Sequence, residues 1–212
     1  LLNDILDVSA MEAGKMSIHP VPVHLPPLLD GIEKLMRPLA QQKGLGFAME
    51  LTGDLPSWVE VDGTRLRQIF LNLVTNAIKF SDAGTVIVRV GRDEKAAPDQ
   101  TNTYPLRLDV VDEGIGMDHT TLTKLFERFA QGDASTSRRF GGTGLGLEIS
   151  RNLARRMGGD IKANSVLGQG STFTVTLPLA LAAPPKLHVS VGQPRTPAAS
   201  SAELAGLDIL VA

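Results

Sequence analysis

Residues 62–80, DGTRLRQIFLNLVTNAIKF, constrain the fold more than any other stretch, because they carry two stripes at helical spacing. Leu66, Ile69, Phe70, Leu73, Val74, Ala77 and Ile78 fall at i, i+3, i+4 and i+7 and form one apolar face. Arg65, Gln68, Asn72, Asn76 and Lys79 recur every three or four residues on a second face. A solvent-facing stripe ordinarily carries charges. Asparagine is a poor helix former because its amide competes for backbone hydrogen bonds, so two of them one turn apart need a reason. We read the pair as aimed at a bound ligand.

The 212 residues suffice for one domain with a substantial core plus extensions. A formal net charge of −2, with both signs scattered, provides no basic field, so neither nucleic acid nor an anionic membrane is indicated as a partner. The chain has no cysteine, hence no disulfide framework, thiolate metal site or thiol nucleophile. That fits a reducing compartment, and the cytoplasm is the expected location. No apolar run reaches the roughly 18 residues of a membrane-spanning helix. Leu1 does not begin a signal peptide, and the chain reads as a piece cut from something longer.

The spacing predicts a helix end over residues 1–14, with Gly14 as its stop and a neighbouring helix or a second copy as its support. Residues 16–23 alternate around Pro20 and Pro22 as an edge strand. Pro26 and Pro27 suit the first turn of a helix whose apolar face is Leu28, Leu29, Ile32, Leu35, Met36, Leu39 and Ala40, ended by Gly44. Residues 45–51 alternate as a strand, and residues 58–62 lead into the asparagine helix, with Asp62 as N-cap. Strands around Val86 to Val90 and Leu106 to Val110 flank a polar connection; a short helix follows Asp118. Helical spacing returns at Leu145, Ile149, Leu153 and Met157, and strands over 160–165 and 171–179 close the domain. Ala, Pro and Ser mark residues 181–203 as a linker.

Three further stretches carry chemistry. Asp112, followed by Gly114 and Gly116, stands at a strand end; its carboxylate can accept a hydrogen bond from an exocyclic amine such as that of adenine, although alone the stretch also reads as a tight turn. Gly142, Thr143, Gly144, Leu145 and Gly146 open a helix whose unpaired amides suit phosphate, or form a flexible hinge. Thr172 follows Gly170 into the last strand, where its hydroxyl can complete a base pocket or belong to an ordinary hairpin. Asn72 and Asn76 can offer neutral amide oxygens to a Mg2+ ion that draws its other ligands from phosphate and water. Lys79 adds a charge for phosphate and Phe80 an aromatic face, unless its ring simply packs in the core.

In order and spacing these stretches resemble the ATP-binding domain of sensor histidine kinases, within the superfamily that includes gyrase, heat-shock-90 and MutL ATPases. The resemblance spans roughly residues 16–179 and rests on an asparagine box (Asn72 to Phe80), a DxGxG box (Asp112 to Gly116), a phenylalanine box (Phe126-Glu127-Arg128-Phe129) and a GxGxG box (Gly142 to Gly146). It implies an α/β two-layer sandwich, a mixed sheet of about five strands on three helices, binding ATP and Mg2+. By the same resemblance Asn76 would be the principal magnesium ligand with Asn72 assisting, Lys79 would contact phosphate, and Asp112 would hold the adenine amine. Gly114, Gly116, Gly142, Gly144 and Gly146 would shape the pocket, and residues 131–143 would form a lid. Ala130-Gln131 stands where many members carry an arginine, so the lid cation would come from Arg138 or Arg139, unless both are solvated surface charges.

Hydrolysing members of the superfamily place a glutamate where this chain has Asn72. An amide cannot accept a proton from water at neutral pH, so ATP here would be kept for another nucleophile. In the family that nucleophile is a histidine on a dimerisation hairpin upstream, whose second helix residues 1–15 resemble. His19, His24, His119 and His188 lie outside such a helix, so the acceptor is absent from this stretch. Residues 16–180 would be the catalytic domain, and residues 204–212 resemble the first strand of a receiver domain or are any short apolar segment. The implied partners are the histidine-bearing hairpin of the same protein, as a homodimer, and a receiver domain in cis or a separate response regulator. The longer protein is open to anchoring in the inner membrane. Two rivals stand: a hydrolysing ATPase of the superfamily, and a nucleotide-binding regulatory module without transfer.

Overall fold

The structure, a computed structural model, describes residues 2–96, 102–127 and 144–185. The elements in chain order are α1 (Leu2–Glu12), β1 (Val21–His24), α2 (Leu25–Gln42), β2 (Gly46–Leu51), β3 (Trp58–Val61), α3 (Gly63–Phe80), β4 (Thr85–Arg92), β5 (Thr103–Asp112), α4 (His119–Lys124), α5 (Gly146–Arg156), β6 (Asp160–Val166) and β7 (Gly170–Leu181). Expectations for Arg128, Phe129, the lid with Arg138 and Arg139, Gly142 and Thr143, most of the linker and residues 204–212 fall outside the described residues.

The strands form one mixed sheet in the order β1-β3-β7-β5-β4-β2, with β6 also on β7. Only β2 and β4 run parallel; every other pair is antiparallel. β7 lends one edge to two strands in succession: residues 170–176 pair with β6, and Ala180 and Leu181 pair with β3. The sheet therefore has seven strands rather than about five. β1 lies at the edge as expected, and the strand not foreseen is β3, where residues 58–61 pair with β1 and are not merely the lead into a helix.

One face of the sheet is apolar and covered by α2, α3 and α5, which makes two layers. Along β5, Tyr104, Leu106, Leu108, Val110 and Asp112 are buried while the residues between them are half-exposed, the period-2 pattern of a strand with one covered face. The apolar stripe of α3 meets that face: Leu66, Ile69, Phe70, Leu73, Val74, Ala77 and Ile78 are all buried. Burial of such side chains stabilises by about 1.5–3 kcal/mol each. On α2 the buried stripe is Leu25, Leu28, Leu29, Ile32, Met36 and Ala40. Leu35 and Leu39, expected in that stripe, are 49% and 43% exposed, because the sheet covers a narrower arc of the helix than its apolar residues span.

Asp62 caps α3 as its position predicts, its Oδ1 accepting the Arg65 amide at 3.1 Å. Asp118 does the same for α4 through Thr121 at 2.7 Å. The expected support for α1 is found within the chain. Asp7 accepts from Arg65 (3.0 Å) and Gln68 (2.8 Å) on α3, and Arg156 donates to the Met16 carbonyl. The polar stripe of α3 is thus divided, its first half held by α1 and its second half, from Asn72 onward, turned to α5.

Candidate functional site

Three elements converge on the C-terminal half of α3. The first is α5. Asn72 Nδ2 donates to Ser150 Oγ at 2.8 Å, and Asn76 Nδ2 reaches Asn72 Oδ1 at 3.4 Å. Gly146, the first residue of α5, comes so close that a Cβ there would stand 2.5 Å from Asn72 Oδ1. The cap of α5 makes no side-chain hydrogen bond, and the amides of a helix's first turn have no acceptor within the helix. An anion is the partner such an end favours, and it lies beside the two asparagines.

The second element is the end of β5. Asp112 is only 6% exposed, and its Oδ1 accepts from the Gly114 amide (2.9 Å) and the Ser171 amide (3.2 Å). Burial pushes this carboxyl above the usual carboxylate range, and those two amides oppose the shift. Neither bond engages Oδ2, which remains able to accept from a ligand. The glycines are set by close approach. A Cβ on Gly114 would run into the Phe80 carbonyl oxygen, which accepts the Ile115 amide at 3.1 Å. At Gly116, φ is +61° and a Cβ would strike the Val166 carbonyl, so two backbones meet where only glycine fits. The Asp112 loop is thereby fastened to the end of α3 and to the turn between β6 and β7.

The third element is the last turn of α3 itself. Lys79 Nζ sits 4.8 Å from the Phe80 ring centroid, and partial burial holds its ammonium below the usual lysine range. The turn is held from outside: Lys43 Nζ donates to the carbonyls of Ile78 (2.9 Å), Lys79 (2.7 Å) and Ser81 (2.6 Å). At the start of the phenylalanine box, the Arg151 guanidinium lies 4.5 Å from the Phe126 ring and also binds Asp160, tying the segment before residue 128 to α5.

Of the residues singled out from sequence, the structure brings Asn72, Asn76, Lys79, Phe80, Asp112, Gly114, Gly116, Gly144 and Gly146 to the elements that meet here. Two assignments change. Thr172 pairs with Val111, and strand alternation turns it to the face opposite Asp112; the residue across from Asp112 is Ser171. Leu145 is 5% exposed and packed in the core, so its side chain anchors the glycine stretch instead of meeting a ligand. Sequence reading also passed over Ser150 and Lys43. The alternation from Phe173, Val175 and Leu177 back to 171 was a signal for Ser171, and a serine beside Ile149 in a buried helix was one for Ser150. Nothing local signals Lys43, whose acceptors lie 35 to 38 residues away.

A family model described as "Histidine kinase-, DNA gyrase B-, and HSP90-like ATPase" matches residues 61–181, more than half of the chain. The chain belongs to that family. Within it, this ATPase-family chain is 44% identical over 178 residues to the aerobic respiration control sensor protein ArcB of Escherichia coli (strain K12), covering 84% of the chain and 22% of ArcB. It is 40% identical over 178 residues to the hybrid signal transduction histidine kinase B of Dictyostelium discoideum, covering 84% of the chain and 9% of that protein. The chain thus spans less than a quarter of the length of either relative. Among solved structures, full-length ShkA, crystallised in complex with AMPPNP, superposes with a TM-score of 0.71 at 35% identity, covering 86% of this chain and 36% of that one. The α/β sandwich is the fold of histidine kinase catalytic domains.

Proposed function

We propose that this ATPase-family domain binds Mg-ATP in the recess between α3, α5 and the Asp112 loop, and delivers the γ-phosphate to a histidine on a dimerisation hairpin of the same protein. The observation that carries the proposal is the joining of Asn72 on α3 to Ser150 and Gly146 on α5, which sets the Asn72 amide oxygen beside the N-terminus of α5. The AMPPNP complex of ShkA and the histidine kinase names of the relatives support it.

The residues suit the nucleotide by chemistry. The buried Asp112 accepts the exocyclic amine of adenine through Oδ2, with Ser171 beside it. The first-turn amides of α5 and the Lys79 ammonium receive phosphate oxygens. For a magnesium ion the donors are the neutral oxygens of Asn76 and Asn72. No group of three or more His, Asp or Glu able to hold a metal occurs among the described residues, so this site fits an ion that keeps phosphate and water ligands instead of one caged by protein. When bound, the ion neutralises phosphate charge. Asn72 cannot serve as a general base toward water, and the site therefore conserves ATP for the histidine.

The reading extends to the rest of the chain: α1 is the end of the hairpin's second helix, residues 16–180 the catalytic domain, and 204–212 the start of a receiver domain in a hybrid kinase working in two-component signalling. No described helix is long and apolar enough to cross a membrane; the domain is assigned to the cytoplasm. To test the proposal, the chain is mixed with Mg-ATP labelled at the γ-phosphate and a separately made hairpin. Acid-labile, base-stable label on the hairpin is expected. ATP binding with no such label sinks the transfer and leaves the regulatory module; steady release of phosphate favours a hydrolase.

A further inference from the structure

Ser150 is 1% exposed in the middle of α5, a place where alanine would serve the helix better, since a buried serine usually turns its hydroxyl on its own backbone. Its bond here is instead to another helix: Ser150 Oγ accepts Asn72 Nδ2 at 2.8 Å. Asn72 Oδ1 in turn accepts Asn76 Nδ2 at 3.4 Å. The two asparagines and the serine therefore form a chain with a direction. Each amide spends its NH2 in the direction of Ser150, and the Asn72 oxygen is left on the side of Asn76 and Gly146.

We propose that Ser150 is a positioning residue that sets the polarity of the Asn72–Asn76 amide pair, keeping both oxygens turned toward a divalent cation. The proposal rests on the Mg-ATP reading of the site and adds a residue that meets neither the ion nor the nucleotide. An amide has one acceptor end and one donor end of nearly the same shape, and only its hydrogen bonds decide which faces forward. A hydroxyl can donate or accept, but with the Asn76 NH2 committed to Asn72 Oδ1, the Asn72 NH2 must end on Ser150. Without that acceptor the half-buried NH2 loses its protein partner, both amides are free to turn over, and a turned amide presents N–H to the cation. Gly146 belongs to the same arrangement, because a side chain there would push on the Asn72 oxygen.

The test uses Ser150→Ala and Ser150→Cys, the second preserving volume while offering only a weak acceptor. Binding of a fluorescent ATP analogue is measured with and without Mg2+, and the Asn72 side-chain amide protons are followed by NMR exchange in metal-free protein. We expect Mg-dependent affinity to fall about tenfold in both variants, the range seen when groups orienting a metal ligand are removed, with metal-free nucleotide affinity unchanged. The Asn72 amide protons, slow to exchange in the wild type, should exchange fast in both variants, and Ser150→Thr, which restores a hydroxyl, should recover the slow exchange. Equal losses with and without Mg2+, or full Mg dependence in Ser150→Cys, overturns the positioning role. Asn76→Ala separates the two levels. If it leaves Mg dependence intact, the site reading fails and this proposal with it; if it abolishes Mg dependence while Ser150→Cys does not, only the role of Ser150 falls.

Discussion

Replacing Lys43 by methionine tests how the ligand-facing end of α3 is held. The last carbonyls of a helix lack partners within it, and α3 has no glycine cap; Ser81 at its C-cap is extended, with φ −100° and ψ 130°. Lys43 takes that place, its ammonium receiving the carbonyls of Ile78, Lys79 and Ser81 at 2.9, 2.7 and 2.6 Å. Hydrogen bonds to a charged group contribute about 1.5–3 kcal/mol each, and the exposed lysine puts these three at the bottom of that range. Ordering the lysine costs about 1.5–2 kcal/mol, and the favourable position of a cation at a helix C-terminus adds about 0.5 kcal/mol. The net is about 3 kcal/mol. At about 2–4 °C per kcal/mol for a domain of this size, Lys43→Met should lower the melting temperature by about 6–12 °C. Differential scanning calorimetry reads the shift, and urea unfolding at unchanged m-value gives the free energy. Because the same turn bears Lys79 and Phe80 and abuts Gly114, nucleotide affinity should fall as well. A drop of less than about 2 °C would mean that water serves those carbonyls equally well, and the reasoning fails.

Asp112→Asn should weaken ATP binding by roughly ten- to a hundredfold, since an amide offers the adenine amine a second donor, and isothermal calorimetry against a nucleotide lacking that amine checks it. The same change should stabilise the ligand-free fold at neutral pH. Burial raises this carboxyl, so its contribution is full below the unfolded value of 3.8 and is lost as pH rises through the folded value, a loss that Asn escapes. Asp160 works the other way. Its hydrogen bonds to Arg151, and then Arg155, lower it from 3.8 to about 2, so its contribution is present above 3.8 and lost as pH falls through about 2. With partial exposure discounted, Asp160→Asn should cost about 1 kcal/mol at neutral pH, and urea titrations at falling pH should show the gap closing across that window. Gly116→Ala should cost about 2 kcal/mol or more, from its left-handed backbone and the collision with the Val166 carbonyl, read as a lower melting temperature with weaker ATP binding.

The parts of this fold legible in the sequence are those decided by local periodicity. The apolar stripe of α3, the Asp62 and Asp118 caps and the alternation in β5 each depend on residues within one or two turns. Whether residues 58–61 make a strand depends on partners at 21–24 and 180–181, which no local pattern names. The exposure of Leu35 and Leu39 depends on how much of α2 the sheet covers. At the site, Asn72, Asn76, Asp112 and the glycines stood out because each is awkward without a ligand or a close backbone. Ser171, Ser150 and Lys43 are ordinary residues whose importance comes from what stands across from them. Ser171 and Thr172 point to opposite faces, and only the alternation counted back from Phe173 tells which of them shares the face of Asp112.

The shared edge of β7 has a mechanical consequence. β5 holds β7 over ten register pairs, while β3 holds it at two, Val59 with Leu181 and Glu60 with Ala180. The junction of the β1-β3 ribbon with β7 is therefore the shortest in the sheet, and the strands that carry Asp112 and Ser171 are paired to each other independently of it. α1, bonded to α3 through Asp7, bypasses that seam and ties the start of the chain to the helix that carries Asn72 and Asn76. In native-state hydrogen exchange, amides of β1 and β3 should open well before those of β5 and β7.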